Sequence, residues 1–213
     1  MRKSLDDERG NAAIYLIWLL GIVSIIFLIV INISKVYITG AQSSNATEQA
    51  AIAGTSVIVS ETKTAIEKFD ANPLSDLTRA HHNMKSMGDV IEDQKDSYED
   101  TGLSEDQAYI KALNHVLPEE IDAHPLLENT IKEHFISVGL NNRIYSTVTS
   151  IIEENHGNAA DTQVILSDED WRLEVESSVD YNSISDQKYI PEITEKIEGE
   201  GFGPTLEYLS RLY

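Results

Sequence analysis

Between Arg9 and Lys35 the chain carries no charged residue, and fourteen of the twenty residues from Ala12 to Ile31 are Ile, Leu, Val or Phe. At about -0.3 to -0.6 kcal/mol each, those fourteen favour insertion into a bilayer by roughly 4–8 kcal/mol. About twenty residues at 1.5 Å rise cover the roughly 30 Å of a hydrocarbon core, and the stretch lacks the polar stripe that a buried helix of a soluble domain keeps. The pattern predicts a single membrane-spanning helix over residues 11–34, preceded by a short segment at 1–10. From Ser34 to about Phe69 there is neither proline nor a turn cluster, so the helix is expected to continue as an amphipathic stalk over 35–70. Ala46, Ala50, Ala53 and Val57 follow 4-3-4 spacing with Gly54 beside them, a seam of small side chains that lets another helix approach closely. Two partners suit that seam: the chain's own globular part, or neighbouring subunits.

Asp70-Ala71-Asn72-Pro73 ends the stalk, because proline disfavours helix at the residue before it and cannot supply an interior hydrogen bond. In the remainder, 71–213, a polar helix is predicted from Ser75 to about Val90 and an acidic linker from Glu92 to Gly102. Ser104 with Gln107 reads as a capping box opening a helix through Asn114–Leu117. Pro118-Glu119-Glu120 suggests a fresh start, Pro125 interrupts, and a further helix stops at Gly139. The period then changes. Trp171, Leu173, Val175, Val179 and Tyr181 alternate with Arg172, Glu174, Glu176 and Asp180, the pattern of a half-buried strand. Arg143–Ile152 and Thr162–Leu166 are expected to pair with it across an Asn155–Asn158 turn, and Thr205–Tyr213 to end as a short helix. The fold class is thus α+β: a membrane helix, a stalk, a small helical region and a small antiparallel sheet.

Charge sets the orientation. Of 16 basic and 36 acidic residues, four and three lie within residues 1–35, leaving 12 and 33 beyond, a balance of -21. Arg2, Lys3 and Arg9 precede the span and only Lys35 closely follows it, which places the N-terminus in the cytoplasm and the acidic body outside. Such a surface repels phosphate backbones, so nucleic acid is excluded as a partner. The competing reading is a cleavable signal ending at Thr39-Gly40-Ala41, although its apolar region is normally only about 7–15 residues. The absence of cysteine removes disulfides, thiolate metal sites and thiol nucleophiles.

The search for catalytic chemistry finds little. The six histidines show neither an HExxH pair nor a two-His-plus-carboxylate spacing, and His124 with Glu128 reads as a solvated helix face. Asp96, Tyr98 and Asp100 do not reproduce a calcium loop. Gly199-Glu200-Gly201-Phe202-Gly203-Pro204 has no Lys or Ser/Thr to handle phosphate and reads as a flexible turn. No catalytic, cofactor or metal residues are assigned, and no cofactor is expected.

The N-terminal third carries a resemblance. Glu8-Arg9-Gly10-Asn11-Ala12-Ala13, the apolar run, and Asn45 through Gly54 together resemble the TadE/TadG-like pilus-assembly proteins, over about residues 5–60. The resemblance implies a bitopic or pseudopilin-like component of a tight-adherence or type IV-like pilus apparatus, with Gly10 and Asn11 flanking a prepilin-peptidase cut. In processed members a glutamate five residues after the cut neutralises a neighbour's amine; here that position is Tyr15, which cannot make the pair. Larger members carry a von Willebrand-type domain with a DxSxS motif, which Asp180-Tyr181-Asn182-Ser183-Ile184 does not reproduce. The implied role is an accessory or minor component, with the lipid bilayer, other pilus-assembly or secretion proteins, and a second copy through the N-terminal helix as partners. A single-pass sensor or ligand-binding protein is the alternative, recognisable by a concave pocket in the sheet–helix region.

Overall fold

A single helix, α1 (Glu8–Asp70), runs unbroken for 63 residues, and the rest of the chain is assembled on its second half. The structure is a computed structural model and describes residues 8–79, 82–185, 188 and 191–213. After α1 come a 3-10 turn at Pro73–Ser75, α2 (Asp76–Arg79), α3 (Met87–Glu99), α4 (Glu105–Ala123), α5 (Pro125–Val138) and α6 (Leu140–Glu154). Strands β1 (Gln163–Leu166), β2 (Leu173–Asn182) and β3 (Thr194–Phe202) follow, then a 3-10 turn at Glu207–Arg211. The strands form an antiparallel meander in the order β1-β2-β3, with Gln163 opposite Glu176 and Asn182 opposite Thr194. The architecture is α+β, with a long apolar N-terminal helix and a small antiparallel sheet.

Residues 39–69 of α1 are the core helix of the head rather than a free stalk. Ala46, Ala50, Ala51, Ile58, Ala65, Ile66 and Phe69 are buried with Leu113, Leu117 and Ile121 of α4 and Leu127 and Ile131 of α5. Tyr208 of the C-terminal turn is also buried there, its hydroxyl 2.8 Å from Thr62 Oγ1. The expected strand at Arg143–Ile152 is instead helix α6. Its β-branched content suggested a strand, but Leu140, Ile144, Val148 and Ile152 recur every fourth residue and are all buried on one helical face. Consequently the Asn155–Asn158 turn joins a helix to the sheet, not two strands, and His156 takes the left-handed conformation within it.

Three further expectations change. The acidic linker at Glu92–Gly102 lies mostly inside α3, where Lys95 Nζ sits 3.0 Å from Glu92, 3.7 Å from Glu99 and 3.6 Å from Glu105. Hydrogen bonding to Glu92 first, then the surrounding carboxylates, pushes the Lys95 ammonium up to about 12. The predicted Ser75–Val90 helix is broken: α3 starts only after Ser86, which forms a capping box with Asp89, and Asp70 accepts from the Met87 and Gly88 amides. Pro118 opens no new helix, because α4 runs through it while Leu113, Leu117 and Ile121 hold the buried face. Pro125 at the start of α5 and Gly139 in the left-handed region at its end behave as expected.

The glycine run is a strand, not a flexible turn. On β3, Gly199 and Gly201 point at α1, as does Gly203 just past the strand end, and none leaves room for a side chain. A Cβ on Gly199 would lie 2.6 Å from the Ser43 carbonyl carbon, one on Gly201 would strike the Thr47 backbone, and one on Gly203 the Thr55 hydroxyl. The spacing explains the fit. Two strand residues advance about 6.6 Å and four helical residues about 6.0 Å, so alternate glycines meet successive small residues Ser43 and Thr47 nearly in step. Ser43 Oγ donates to the Ile197 carbonyl at 3.0 Å and fixes that register.

Candidate functional site

The first half of α1 is bare. Every described side chain from Ala12 to Phe27 is exposed, including Ile17, Ile25 and Phe27, and the helix is long and apolar enough to cross a membrane. Gly10 and Asn11 lie in the opening turns of α1, and their side-chain environment is outside the described residues, as are Arg2 and Lys3. Tyr15, at the position of the glutamate in the resembling family, is exposed. Contact with the head begins at the level of Asn32. Asn32 Oδ1 accepts the Ile184 amide at 2.7 Å, Asn32 Nδ2 donates to the Ile184 carbonyl at 3.3 Å, and Lys35 Nζ donates to the Asn182 carbonyl. The Lys35 ammonium also stands 5.9 Å from the centre of the Tyr181 ring. This polar clasp marks the lower rim of the head, leaving the twenty residues 12–31 below it.

The small-residue seam faces inward. Ala46 and Ala50 are buried in the core, and Gly54 is packed so tightly beneath Leu173, Val148 and Ile144 that a Cβ would lie 2.9 Å from Val148 Cγ2. Ala53 and Val57 flank it, half-buried. Of the two partners weighed for this seam, the chain's own sheet and α6 occupy it.

Two clusters among the described residues bring histidine and carboxylate together. The first lies between α1, α5 and α6, with Glu61 and His134 buried and Lys68 and Arg143 exposed. Glu61, whose side chain is 8 % exposed, accepts from Arg143 and, at 2.8 Å, from His134 Nε2, whose side chain is 3 % exposed. Lys68 Nζ lies 2.9 Å from His134 Nδ1, and since an ammonium only donates, Nδ1 accepts and the ring proton sits on Nε2. Each group is thereby paired. The arrangement ties α1, α5 and α6 together.

The second cluster is one that linear spacing concealed. His82 Nε2 lies 3.0 Å and His124 Nε2 3.4 Å from the same oxygen, Glu120 Oε2, and the three donor atoms fall within 4.8 Å of one another. His82 comes from the loop before α3, Glu120 from the last turn of α4, and His124 from the residue between α4 and α5. The one signal available was the four-residue interval from Glu120 to His124, which puts both on one face of a helix end. Glu128, the other carboxylate one turn from His124, binds Lys132 at 2.7 Å.

A cleft of about 420 Å³ opens between α6, the sheet and the C-terminal turn, lined by Ile58, Ile144, Val164, Leu173, Leu209 and Tyr213 among others. Partial desolvation raises the Tyr213 hydroxyl above its ordinary range. Comparison with family models, curated proteins and solved structures finds no match to this chain.

Proposed function

We propose that the chain is a single-pass membrane protein, N-terminus in the cytoplasm and acidic head outside. In this reading it serves as an accessory or minor, pseudopilin-like component of a pilus-assembly or secretion apparatus, and works by helix packing and partner binding rather than catalysis. The observation that carries the reading is the bare apolar half of α1, continuous with the core helix of the head. Its ends support a bilayer setting. Tyr15 and Trp18 are exposed at one end and Tyr37, 77 % exposed, at the other, the positions of interfacial aromatic anchors. Tyr15 and Tyr37 are separated by about 33 Å of helix rise, close to the roughly 30 Å hydrocarbon thickness. Because the head covers the small-residue seam, association with other copies or components falls to the exposed stretch at 12–31.

Cross-linking tests this directly, since the chain has no cysteine of its own. In native membranes, Ile17→Cys and Ile25→Cys form adducts with a second copy or with components of a pilus-assembly or secretion machine, whereas Ala50→Cys, enclosed by the head, forms none. Absence of adducts from both exposed positions, or extraction of the full chain by alkaline carbonate, overturns the reading. A second reading, an extracytoplasmic ligand-binding protein, rests on the cleft beneath Tyr213, whose volume lies within the range of small-molecule sites.

A further inference from the structure

We propose that His82, Glu120 and His124 form a binding site for a divalent first-row metal ion of the zinc class, with a fourth coordination position open to solvent. Three side chains from two segments converge on one point, with both donor separations from Glu120 in the range of ligands and all three donor atoms within 4.8 Å of one another. A tetrahedral ion with bonds of about 2.0–2.1 Å sets its ligands roughly 3.4 Å apart, and a right-angled arrangement sets them roughly 3.0 Å apart. The measured separations from Glu120 Oε2 are 3.4 Å to His124 Nε2 and 3.0 Å to His82 Nε2. An ion seated between the three replaces the two direct contacts to Glu120 with bonds to the metal.

The donor set selects the ion. Two imidazoles and one carboxylate suit zinc, nickel, cobalt or iron(II) better than calcium or magnesium, which take oxygen ligands, and a chain with no cysteine offers no thiolate for softer metals. The side chains of His82, Glu120 and His124 are 22 %, 15 % and 21 % exposed, sheltered enough to be fixed and open enough to admit an ion. A formal charge of -20 raises the local concentration of cations around the head. Binding ties the loop before α3 to the corner between α4 and α5, segments that are otherwise joined here by the His82–Glu120 contact. Three protein ligands leave one position for water or for a donor from a partner.

The test uses the untagged full chain in detergent micelles, stripped with chelator and titrated with Co²⁺ and then with Zn²⁺ in competition. One equivalent of Co²⁺ produces ligand-field absorption, and Zn²⁺ displaces it. His82→Ala, Glu120→Gln and His124→Ala each weaken binding by more than the roughly 10–100-fold that follows loss of an outer-shell partner, while His115→Ala, at the Tyr98 hydroxyl, leaves it unchanged. Zn²⁺ at a hundredfold excess over Kd raises Tm by about 5–10 °C in the parent chain and not in Glu120→Gln. Far-UV circular dichroism confirms that Glu120→Gln, nearly isosteric, remains folded. The proposal is overturned if the parent binds no more metal than the three variants, if His115→Ala loses binding equally, or if Tm is the same in Zn²⁺ and chelator.

Discussion

Replacing Gly199 by alanine tests whether β3 is held against the backbone of α1. The new Cβ would stand 2.6 Å from the Ser43 carbonyl carbon, 2.6 Å from its Oγ and 2.7 Å from its carbonyl oxygen, so the obstacle is mainly main chain and cannot rotate away. Carbon atoms rest at about 3.5–4.0 Å, which requires β3 to retreat by about 1 Å. That retreat breaks the 3.0 Å bond from Ser43 Oγ to the Ile197 carbonyl, a loss of about 1 kcal/mol. Overpacking adds about 1–3 kcal/mol, and the gain from replacing a strand glycine returns about 0.5–1 kcal/mol. The net is a destabilisation of about 1–3.5 kcal/mol, or a fall in Tm of about 2–14 °C for a chain of this size. Gly40→Ala supplies the opposite sign from the same neighbourhood. Its Cβ would meet only Ile197 Cγ2 at 3.9 Å, an ordinary contact, so the helix gains about 0.8–1 kcal/mol. Thermal unfolding of the full chain in detergent, followed by circular dichroism, reads both. A Gly199→Ala chain melting at or above the parent, or a Gly40→Ala chain melting well below it, refutes the packing argument.

Glu61→Ala leaves the buried His134 Nε2–H and the Arg143 fork without their acceptor and lowers the urea-unfolding free energy by about 3 kcal/mol. Tyr208→Phe removes the hydroxyl from Thr62, but Thr62 still donates to the Ile58 carbonyl at 2.8 Å, so the same measurement shows a loss of only about 1 kcal/mol. Acid should weaken the sheet through Asp161, which Lys196 first and the Ser178 hydroxyl second hold below the ordinary 3.8. A depressed folded value means that this stability is complete above 3.8 and disappears as pH falls through the lower folded value, so Asp161→Asn differs from the parent at about pH 6 and the difference shrinks as pH falls below 3.8. Half-buried Tyr109, pushed up to about 12 by desolvation, titrates late in an alkaline absorbance scan, and its stabilising neutral form is lost between its ordinary 10.0 and that value.

Elements with one dominant cause could be read from the residues themselves. The uncharged run after Arg9 is apolar on every face and the alternation from Leu173 to Tyr181 has a period of two, and the chain folds them as helix and strand. Gly139, with φ of 62°, ends α5 because the left-handed turn favours glycine there. Where two physical causes overlapped, the local pattern was ambiguous. The β-branched residues of Arg143–Ile152 fit either element locally, and only the core placement of Ile144, Val148 and Ile152 decides for a helix. Glycine carries a double meaning: flexible where unconfined, compulsory where two backbones touch, and the run at Gly199–Gly203 is the second kind. The His82–Glu120–His124 cluster was the least visible, because a contact across 38 residues has no local signature. The seam at Ala46, Ala50 and Gly54 was legible as a close-packing surface, but its partner required the fold.

The unbroken course of α1 also has a mechanical meaning. Between Ala12 and Asp70 the helix rises about 87 Å, and the head is clasped along its upper half with no hinge between the two parts. A tilt of about 10° imposed on the first turns would therefore swing the far end sideways by about 15 Å, turning a small displacement at the base into a large excursion at the top.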